Sequence, residues 1–283
     1  MIEIKVFGGL GNQMFQYAFY QYLRLANEDV VMNISDFNVH NHHQGFELER
    51  VFGIQGPYNK EESKMAIKSN SFIIRGLQKM LGARISKETE YYENKELSFV
   101  NCERINNDTY LVGYWQDVEY IKPVDAIIRN SFKFRKALTQ KNTETVEFAQ
   151  NRASVGVHIR RCDYVGNMGL GGICDDRYYA QAIEYMNRNI ENPVFIFFSD
   201  DIQWCRDKYT NLDAVFVDWN VGENSYIDMQ LMSLCKHNIV ANSTFSWWGA
   251  YLNSNQDKVV ICPRIWNEKF KLNRLVVDGW ITI

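Results

Sequence analysis

The chain has 283 residues and a formal net charge of −3 at pH 7. This length allows two domains, each with its own hydrophobic core. The balance of 31 Lys and Arg against 34 Asp and Glu excludes the broad basic surface that nucleic-acid-binding proteins use. Six scattered cysteines without a CxxC pair argue against a zinc site and a disulfide framework. With no signal-peptide features and no apolar stretch of membrane-spanning length, we expect a cytoplasmic protein without a transmembrane segment.

The N-terminal region predicts a β-loop-α-β unit. An apolar run over residues 2–7 indicates a strand, and the glycine-rich residues 8–13 indicate a loop. Apolar residues recur at helical spacing over 14–26, and a second apolar run covers 30–34. A strand at residues 110–113 and helices at 65–81 and 118–132 complete the predicted first domain.

The stretch from 37 to 58 has the polarity of a loop and contains His40, His42 and His43. Clustered histidines are compatible with a metal site. No acidic or cysteine partner follows at ligand spacing, so exposed loop positions are favoured over metal binding.

The second half of the chain alternates regularly between strands and helices, which predicts a parallel sheet with right-handed crossovers. A polar helix over 137–152 precedes it, and we place the domain boundary there, giving domains 1–145 and 146–283. The predicted strands cover residues 154–158, 194–198, 215–217, 239–241 and 259–262. The predicted helices cover residues 177–189 and 225–236, with two more starting at 201 and 245. The aromatic-rich tail, residues 266–283, could cross back and pack on the first domain.

A charged cluster follows the apolar strand that ends at His158. Arg160, Arg161 and Asp163 lie just past this strand, where ligands bind in open α/β sheets. Adjacent guanidinium groups suit a diphosphate, because they donate charge-assisted hydrogen bonds in pairs. A solvated ion-pair cluster is the alternative interpretation of these residues.

The glycine-rich loop is placed between a strand and a helix, where free backbone N–H groups favour an anion. Gly9 and Gly11 fit the first two positions of a dinucleotide fingerprint, but Met14 occupies the third. A tight turn without ligand is the alternative. Asn12 and Gln13 add donors and acceptors suited to sugar hydroxyls.

Two carboxylates, Asp200 and Asp201, follow the apolar strand 194–198. They would suit a metal ion, or Asp200 would accept hydrogen bonds from a nucleoside while Asp201 caps the following helix. Helix capping is favoured for Asp201. Asp228 lies in an otherwise apolar helical pattern, so it needs a specific partner, such as the N–H edge of guanine, unless it is exposed.

The string NSTFSWWGA starts at Asn242 and opens a predicted helix. Ser243 fits the N-cap position, and Thr244 adds a second hydroxyl near the positive helix end, which makes a phosphate cradle possible. Trp247 and Trp248 are favoured as core residues over sugar platforms.

Four strings follow one another in the same order as in the inverting α-1,2-fucosyltransferases. They are GGLGNQMFQYA, HIRRCDY, FSDD and NSTFSWWGAYL. The chain resembles that family, glycosyltransferase family eleven, from Gly8 to Leu252. The resemblance implies an α/β fold with GT-B architecture, in which two Rossmann-like domains face a central cleft. It implies GDP-fucose as the donor, held mainly by the C-terminal domain, no metal cofactor, and an acceptor-side N-terminal domain.

The resemblance also implies roles for single residues. Arg160 would bind the β-phosphate with support from Arg161, and Phe245 would line the phosphate and fucose pocket. Residues that would complete the donor site are Gly9, Gly11, Asn12, Gln13, Asp200, Asp228, Asn242, Ser243 and Thr244.

The implied reaction is a direct displacement at the anomeric carbon of GDP-β-L-fucose by the 2-hydroxyl of a galactoside. Arg160 would stabilise the leaving diphosphate. Asp163 is the first candidate for the general base and His158 is the rival. The acceptor would be a galactose-containing glycan, in surface-polysaccharide synthesis in the cytoplasm or at the inner face of the membrane. There, the protein would associate peripherally with lipid-linked glycans.

Three other functions use parts of the same pattern. A nicotinamide-dependent oxidoreductase would use the glycine loop but leaves the arginine pair and the NSTFSWW string without a role. A non-catalytic sugar-binding protein would use the 14% aromatic content. A metal-dependent transferase would use Asp200 and Asp201.

Overall fold

The computed structural model describes residues 1–39, 44–63, 90–92, 101–105, 108–167, 169–267 and 274–283. The chain divides into two compact units, Met1–Lys133 and Phe134–Ile283. The sequence places the boundary between residues 145 and 146, within a helix that belongs wholly to the second unit. His40, His42, His43 and the predicted helix at 65–81 lie outside the described residues.

Within its described residues, the first unit is a parallel sheet of five strands with helices. The strands are β1 (Ile2–Lys5), β2 (Val30–Asn33), β3 (Tyr58–Asn59), β4 (Glu90–Tyr92) and β5 (Thr109–Val112), in the order β3-β2-β1-β5-β4. The helices are α1 (Leu10–Leu23), α2 (Asp36–Val39), α3 (Leu48–Phe52), α4 (Val118–Ile121) and α5 (Asp125–Ser131).

Three predictions for this unit are wrong in their bounds. Helix α1 starts at Leu10 instead of residue 14, so the second half of the glycine loop forms its first turn. The predicted helix 118–132 is divided by a 3₁₀ turn at Lys122–Val124, because Pro123 lacks an N–H donor. The predicted loop 37–58 contains helix α3 and most of α2.

The described residues of the second unit form a parallel sheet of six strands. Its strands are β6 (Ala153–Ile159), β7 (Pro193–Ser199), β8 (Ala214–Val217), β9 (His237–Ile239), β10 (Val260–Cys262) and β11 (Ile281–Thr282). Its helices are α6 (Gln140–Asn151), α7 (Asp176–Asn189), α8 (Ile202–Lys208), α9 (Tyr226–Leu234) and α10 (Thr244–Tyr251). The predicted strand 239–241 thus ends earlier than expected, at Ile239.

The strand order of the second unit is β8-β7-β6-β9-β10-β11. This is the Rossmann order 3-2-1-4-5-6, whose direction of winding reverses between β6 and β9. The tail ends in this sheet as strand β11 beside β10. Ligands of doubly wound folds bind at such a reversal, outside the carboxyl ends of the strands.

The core of the second unit explains its apolar strings. Phe195 and Phe197 of β7 are fully buried, as expected for a parallel strand covered on both faces. Trp247 and Trp248 are also fully buried, which confirms their prediction as core residues, and the Trp247 indole donates to the Leu275 carbonyl at 2.7 Å. The strings rich in aromatic residues therefore support the edge of the sheet on which α10 begins.

Close packing of α9 on α10 depends on Gly249. A Cβ atom at this position would lie 2.9 Å from Cβ of Met232, which is closer than packed carbon atoms approach. We expect Gly249→Ala to lower the free energy of unfolding by about 1–2 kcal/mol, because the cost of overpacking exceeds the gain in helix propensity. Urea unfolding measures this, with Gly56→Ala as a control whose nearest neighbours lie at 3.5 Å. Equal stability of the two variants would contradict the packing argument.

Candidate functional site

The carboxyl edge of the second sheet collects the polar residues that follow its strands. Arg160 follows β6, Asp200 follows β7, and Asn242 lies three residues beyond the end of β9. Since all these strands are parallel, their carboxyl ends lie at one edge. The sequence prediction that the arginine cluster leaves a strand at this edge is confirmed.

Asp200 holds the turn that carries the arginines. Its carboxylate accepts hydrogen bonds from the backbone N–H groups of Arg161 at 2.8 Å and Cys162 at 3.2 Å. Oδ2 also pairs with Nε of Arg160 at 3.2 Å. The Asp200 side chain is 17% exposed, and its hydrogen bonds to the turn lie at the protein surface.

Arg160 is held on one side only. Its Nε donates to Asp163 at 2.7 Å, and its guanidinium lies 5.9 Å from the centre of the Tyr164 ring. The two terminal nitrogens make no hydrogen bond to any residue that the structure describes. Burial by itself lowers the pKa of Arg160, but the hydrogen bond to Asp163 and the charges of both carboxylates outweigh it and raise the pKa. Arg160 thus presents a permanent positive charge with four unused N–H donors.

Arg161 has a different environment. Its Nε pairs with Asp201 at 3.1 Å, and its guanidinium stacks 3.9 Å from the centre of the Trp204 ring. Asp201 also caps α8, because its side chain accepts from the backbone N–H of Trp204 at 3.3 Å, which confirms the predicted cap. Arg161 therefore links the turn after β6 to the helix after β7.

Both arginines line a cavity of 360 Å³ in the second unit. Its wall also includes Tyr164, Trp204 and Asn242, with residues 165–166 and 170–172. The volume falls within the range of small-molecule sites. The structure thus brings Arg160, Arg161 and Asn242 together at one cavity, whereas Ser243, Thr244, Phe245, Asp228 and His158 do not line it.

The N-terminus of α10 lies beside this cavity. Asn242 is buried and donates to the carbonyls of Leu170 at 3.0 Å and Trp266 at 3.3 Å, and its own carbonyl accepts from the Tyr164 hydroxyl at 3.1 Å. Ser243 occupies the N-cap position, but its side chain makes no capping hydrogen bond. Its hydroxyl interacts instead with Tyr164.

His158 is packed rather than open. Its side chain belongs to the buried end of β6, its ring centre lies 5.6 Å from that of Phe245, and the residue is only 6% exposed. Burial, with the positive charge of Arg160 as a second cause, lowers the pKa of His158 to about 3. The imidazole is therefore neutral at physiological pH and a weak base. By contrast, the Asp163 side chain is 58% exposed.

Asp228 sits in the first turn of α9, in a polar cluster of its own. Its Oδ1 accepts from Nδ2 of Asn220 at 2.8 Å. Burial raises the pKa of Asp228 to about 7, against the opposing effect of the Asn220 hydrogen bond. The predicted need for a specific partner is met on one oxygen by a residue that the sequence did not single out.

The glycine turn of the first unit is internally bonded. Gly8 has a φ of +78°, and a Cβ there would lie 2.9 Å from Nδ2 of Asn12, so glycine is required. Gly9 is the N-cap of α1, and Gly11 is buried in its first turn. The side-chain oxygen Oδ1 of Asn12 accepts a hydrogen bond from Nε2 of Gln116 at 3.0 Å. Gln13 is fully buried, so its side chain fixes the local chain path rather than reaching solvent.

The contacts of Gln13 show how this turn is fixed. Its amide nitrogen donates to the carbonyls of Gly8 and Gly45, both at 2.8 Å, and its oxygen accepts from the N–H of Glu47 at 2.8 Å. The Gln13 side-chain amide has two donor and two acceptor positions, and three of these four are used within the first unit.

Sequence reasoning missed Tyr164, Trp204 and Asn220 as parts of the site. Tyr164 belongs to the HIRRCDY string, and its place directly after the charged residues was an available signal. Trp204 follows the two carboxylates by helical spacing, which places it on the Asp201 side of α8. Asn220 had no sequence signal, because its importance comes from distant partners.

Neither a metal centre nor a membrane span emerges from the described parts of the chain. Asp200 and Asp201 each bind an arginine, and the described residues contain no group of three His, Cys, Asp or Glu side chains able to hold a metal ion. None of the helices described is long and apolar enough to cross a bilayer.

We expect His158→Asn to make the second unit less sensitive to acid. Since the folded pKa of His158 lies below its ordinary value of 6.5, stability present above pH 6.5 is lost as the pH falls towards 3. Between pH 7 and pH 5 the unmodified protein should lose about 2 kcal/mol more than the variant. Urea unfolding at both pH values measures the difference, and an equal loss in both proteins would show that His158 titrates normally.

Comparisons with known proteins identify the family of this chain. The family model for glycosyl transferase family 11 matches residues 1–283. An alpha-1,2-colitosyltransferase of Escherichia coli is 33% identical, over 100% of this chain and 99% of its own. A galactoside alpha-(1,2)-fucosyltransferase 2 of Sus scrofa is 35% identical, over 35% of this chain and 30% of its own.

The comparison with solved structures concerns the fold. The crystal structure of POFUT1 in complex with GDP-fucose superposes with a TM-score of 0.50 at 11% identity, covering 92% of this chain and 97% of that one. The predicted α/β fold with Rossmann-like domains of the GT-B class is thereby confirmed. The family assignment leaves no place for the oxidoreductase and binding-protein alternatives. This chain belongs to glycosyl transferase family 11.

Proposed function

We propose that this glycosyltransferase moves L-fucose from GDP-β-L-fucose to the 2-hydroxyl of a galactose-containing glycan, with inversion at the anomeric carbon. The observation that carries the proposal is Arg160. It is a fixed cation at the reversal point of a Rossmann sheet, with its terminal nitrogens unused at the edge of a 360 Å³ cavity. Such a group suits a diphosphate, because a guanidinium donates two parallel hydrogen bonds to phosphate oxygens.

Arg160 would act mainly in the transition state. When the bond between the anomeric carbon and the diphosphate oxygen breaks, negative charge grows on the leaving GDP. Because Asp163 and Asp200 already hold the Arg160 guanidinium in place, it stabilises the transition state more than the ground state. The side chain does not have to reorganise during the reaction. On this proposal the charge is stabilised by protein groups and no metal ion takes part.

For the remaining donor contacts we propose the residue roles that the family resemblance implies. Asp228 would accept from the guanine edge, and Ser243, Thr244 and Phe245 at the start of α10 would line the phosphate and sugar. Arg161, Asp200 and Asn242 would act through the turn that they stabilise, since each is bound to protein groups. In the first unit, Gly9, Gly11, Asn12 and Gln13 would form or support the turn offered to the sugar.

We assign the general base to Asp163 in preference to His158. Asp163 is the more exposed side chain, and a carboxylate oxygen can accept the proton of the acceptor hydroxyl. His158 is buried, and a pKa of about 3 leaves its imidazole little tendency to accept a proton. Its ring would instead support Phe245.

Colitose is the second candidate for the transferred sugar. The relative that matches the full length of the chain is named an alpha-1,2-colitosyltransferase. Colitose is L-fucose without its 3-hydroxyl, so both sugars fit the same diphosphate site. A pocket that hydrogen-bonds the 3-hydroxyl would reject GDP-colitose by about 10⁴-fold, while an apolar pocket would discriminate weakly. Transfer from each donor, measured side by side, decides between them.

The acceptor and place of action follow from the same proposal. A galactoside acceptor agrees with the name of the fucosyltransferase relative. We propose that the protein acts in the cytoplasm or at the inner face of the membrane, on lipid-linked glycans of a surface polysaccharide.

Removal of the Arg160 side chain provides the direct test. We expect Arg160→Ala to lower kcat for transfer from GDP-fucose by about 10²–10³-fold, because a preorganised charge is lost from the transition state. The kcat of Arg160→Lys should lie between that of the unmodified protein and that of Arg160→Ala, since an ammonium group keeps the charge but cannot donate two parallel hydrogen bonds. Linkage analysis of the product on a panel of galactosides, with and without a chelator, measures transfer and metal dependence together.

Two further variants make this test interpretable. Arg188→Ala removes an exposed arginine that pairs with Glu184 on α7, and it should leave kcat unchanged. Asp163→Asn should lower kcat while GDP affinity is retained. Full activity of Arg160→Ala, or an unmodified protein that transfers neither sugar, would refute the proposed function.

A further inference from the structure

A closed hydrogen-bond network lies behind Asp228, outside the cavity and the arginine turn. Asn142 of α6 and Asn220 of the loop after β8 bind each other through both amides, at 2.9 and 3.1 Å. Asn142 is fully buried and Asn220 nearly so. Asn142 also donates to the Thr139 hydroxyl at 3.0 Å, and Asn220 donates to Asp228.

The Trp219 indole gives this network a single direction. Its N–H can only donate, and it donates to Oδ1 of Asn142 at 2.7 Å. That contact fixes which end of the Asn142 amide is oxygen, so its nitrogen must donate to Asn220. The Asn220 oxygen is then occupied, and the Asn220 nitrogen is the end that faces the Asp228 carboxylate.

The result is a carboxylate with one bound oxygen and one open oxygen. Oδ1 of Asp228 accepts from Asn220, while Oδ2 makes no hydrogen bond to any residue within the described ranges. Asp228 is partly buried rather than fully enclosed, and on this proposal Oδ2 is the oxygen offered to a ligand. Since Oδ2 of Asp228 is an acceptor without a protein donor among the described residues, it favours a ligand edge that carries N–H groups.

We propose that Trp219, Asn142 and Asn220 are positioning residues for base selection: they orient Asp228 as a pure acceptor, which favours guanine and rejects adenine. This inference rests on the proposed function, because it assumes that the donor is a nucleoside diphosphate. Guanine presents N1–H and the 2-amino group along one edge. Adenine presents an unprotonated N1 there, which would face the carboxylate lone pairs.

The charged groups around the network are few. The elements that pack against α9 are α6, β6 and α10. Their ionisable side chains are Lys141, Glu144, Glu147, His158 and Tyr251. Lys141 Nζ lies 3.8 Å from the centre of the Trp219 ring and 4.0 Å from Oδ1 of Asp218. Loss of the Asn220 donor would therefore leave Asp228 without a nearby hydrogen bond and raise its pKa further from about 7.

The test is calorimetric titration of GDP and ADP into the full chain between pH 5.5 and 8. The two ligands share ribose and diphosphate, so the ratio of their dissociation constants isolates the base. In the unmodified protein this ratio should favour GDP, increasingly as the pH rises through 7. Asn220→Leu and Asn142→Leu should reduce the GDP preference about tenfold, and the pH midpoint of the remaining preference should rise.

Control variants separate selection from folding. Asn151→Leu changes an exposed asparagine at the end of α6 and should leave the ratio unchanged. Unchanged ADP affinity in the buried variants shows that the site is intact. If Asn142→Leu loses ADP as well, Trp219→Phe removes the indole donor but keeps an aromatic ring and leaves both asparagines in place, and it should still reduce the GDP preference.

The outcomes distinguish this inference from the proposed function. If the unmodified protein binds neither nucleotide, the proposed function fails. The unmodified protein is expected to prefer GDP. If Asn220→Leu keeps the same preference and the same pH midpoint, or if both Asn142→Leu and Trp219→Phe do, the positioning role is wrong. The transferase assignment would still stand in that case.

Discussion

One carboxylate, that of Asp200, determines the geometry of the site. It joins the ends of two neighbouring strands, because it accepts hydrogen bonds from two backbone N–H groups of the turn after β6 and forms an ion pair with Arg160 of the same turn. Without these contacts, Arg160 would be a long, flexible side chain with about 2 kcal/mol of rotamer entropy to lose on binding. With them, that cost is met during folding, and the terminal nitrogens are presented in a fixed orientation.

The fold supplies the strand ends that Asp200 connects. Two buried apolar strings, β6 and β7, lie side by side in register from Ala153 to Ile159 and from Pro193 to Ser199. Their last residues therefore reach the same edge, and the winding reverses beside β6, where β9 brings in the start of α10. The arginine turn, the carboxylate pair and the NSTF segment are far apart in sequence but share this edge.

Much of this arrangement could be predicted from the sequence, because apolar runs and their alternation with helical patterns depend on local periodicity. Parallel strands, the exit of Arg160 at a carboxyl end and the capping role of Asp201 were all accessible in this way. The partners of Gln13, Asp200 and Asn142 were not. Their hydrogen bonds join residues separated by tens of positions, and no local pattern records such pairs.

The central claim is that Arg160, held by Asp200, binds the diphosphate of the donor. A crystal structure of the full chain with GDP tests it most directly. We expect the terminal nitrogens of Arg160 to lie about 2.7–2.9 Å from oxygens of the β-phosphate, while Asp200 keeps its contacts with the turn. A diphosphate bound elsewhere, with those nitrogens exposed to solvent, would contradict the account.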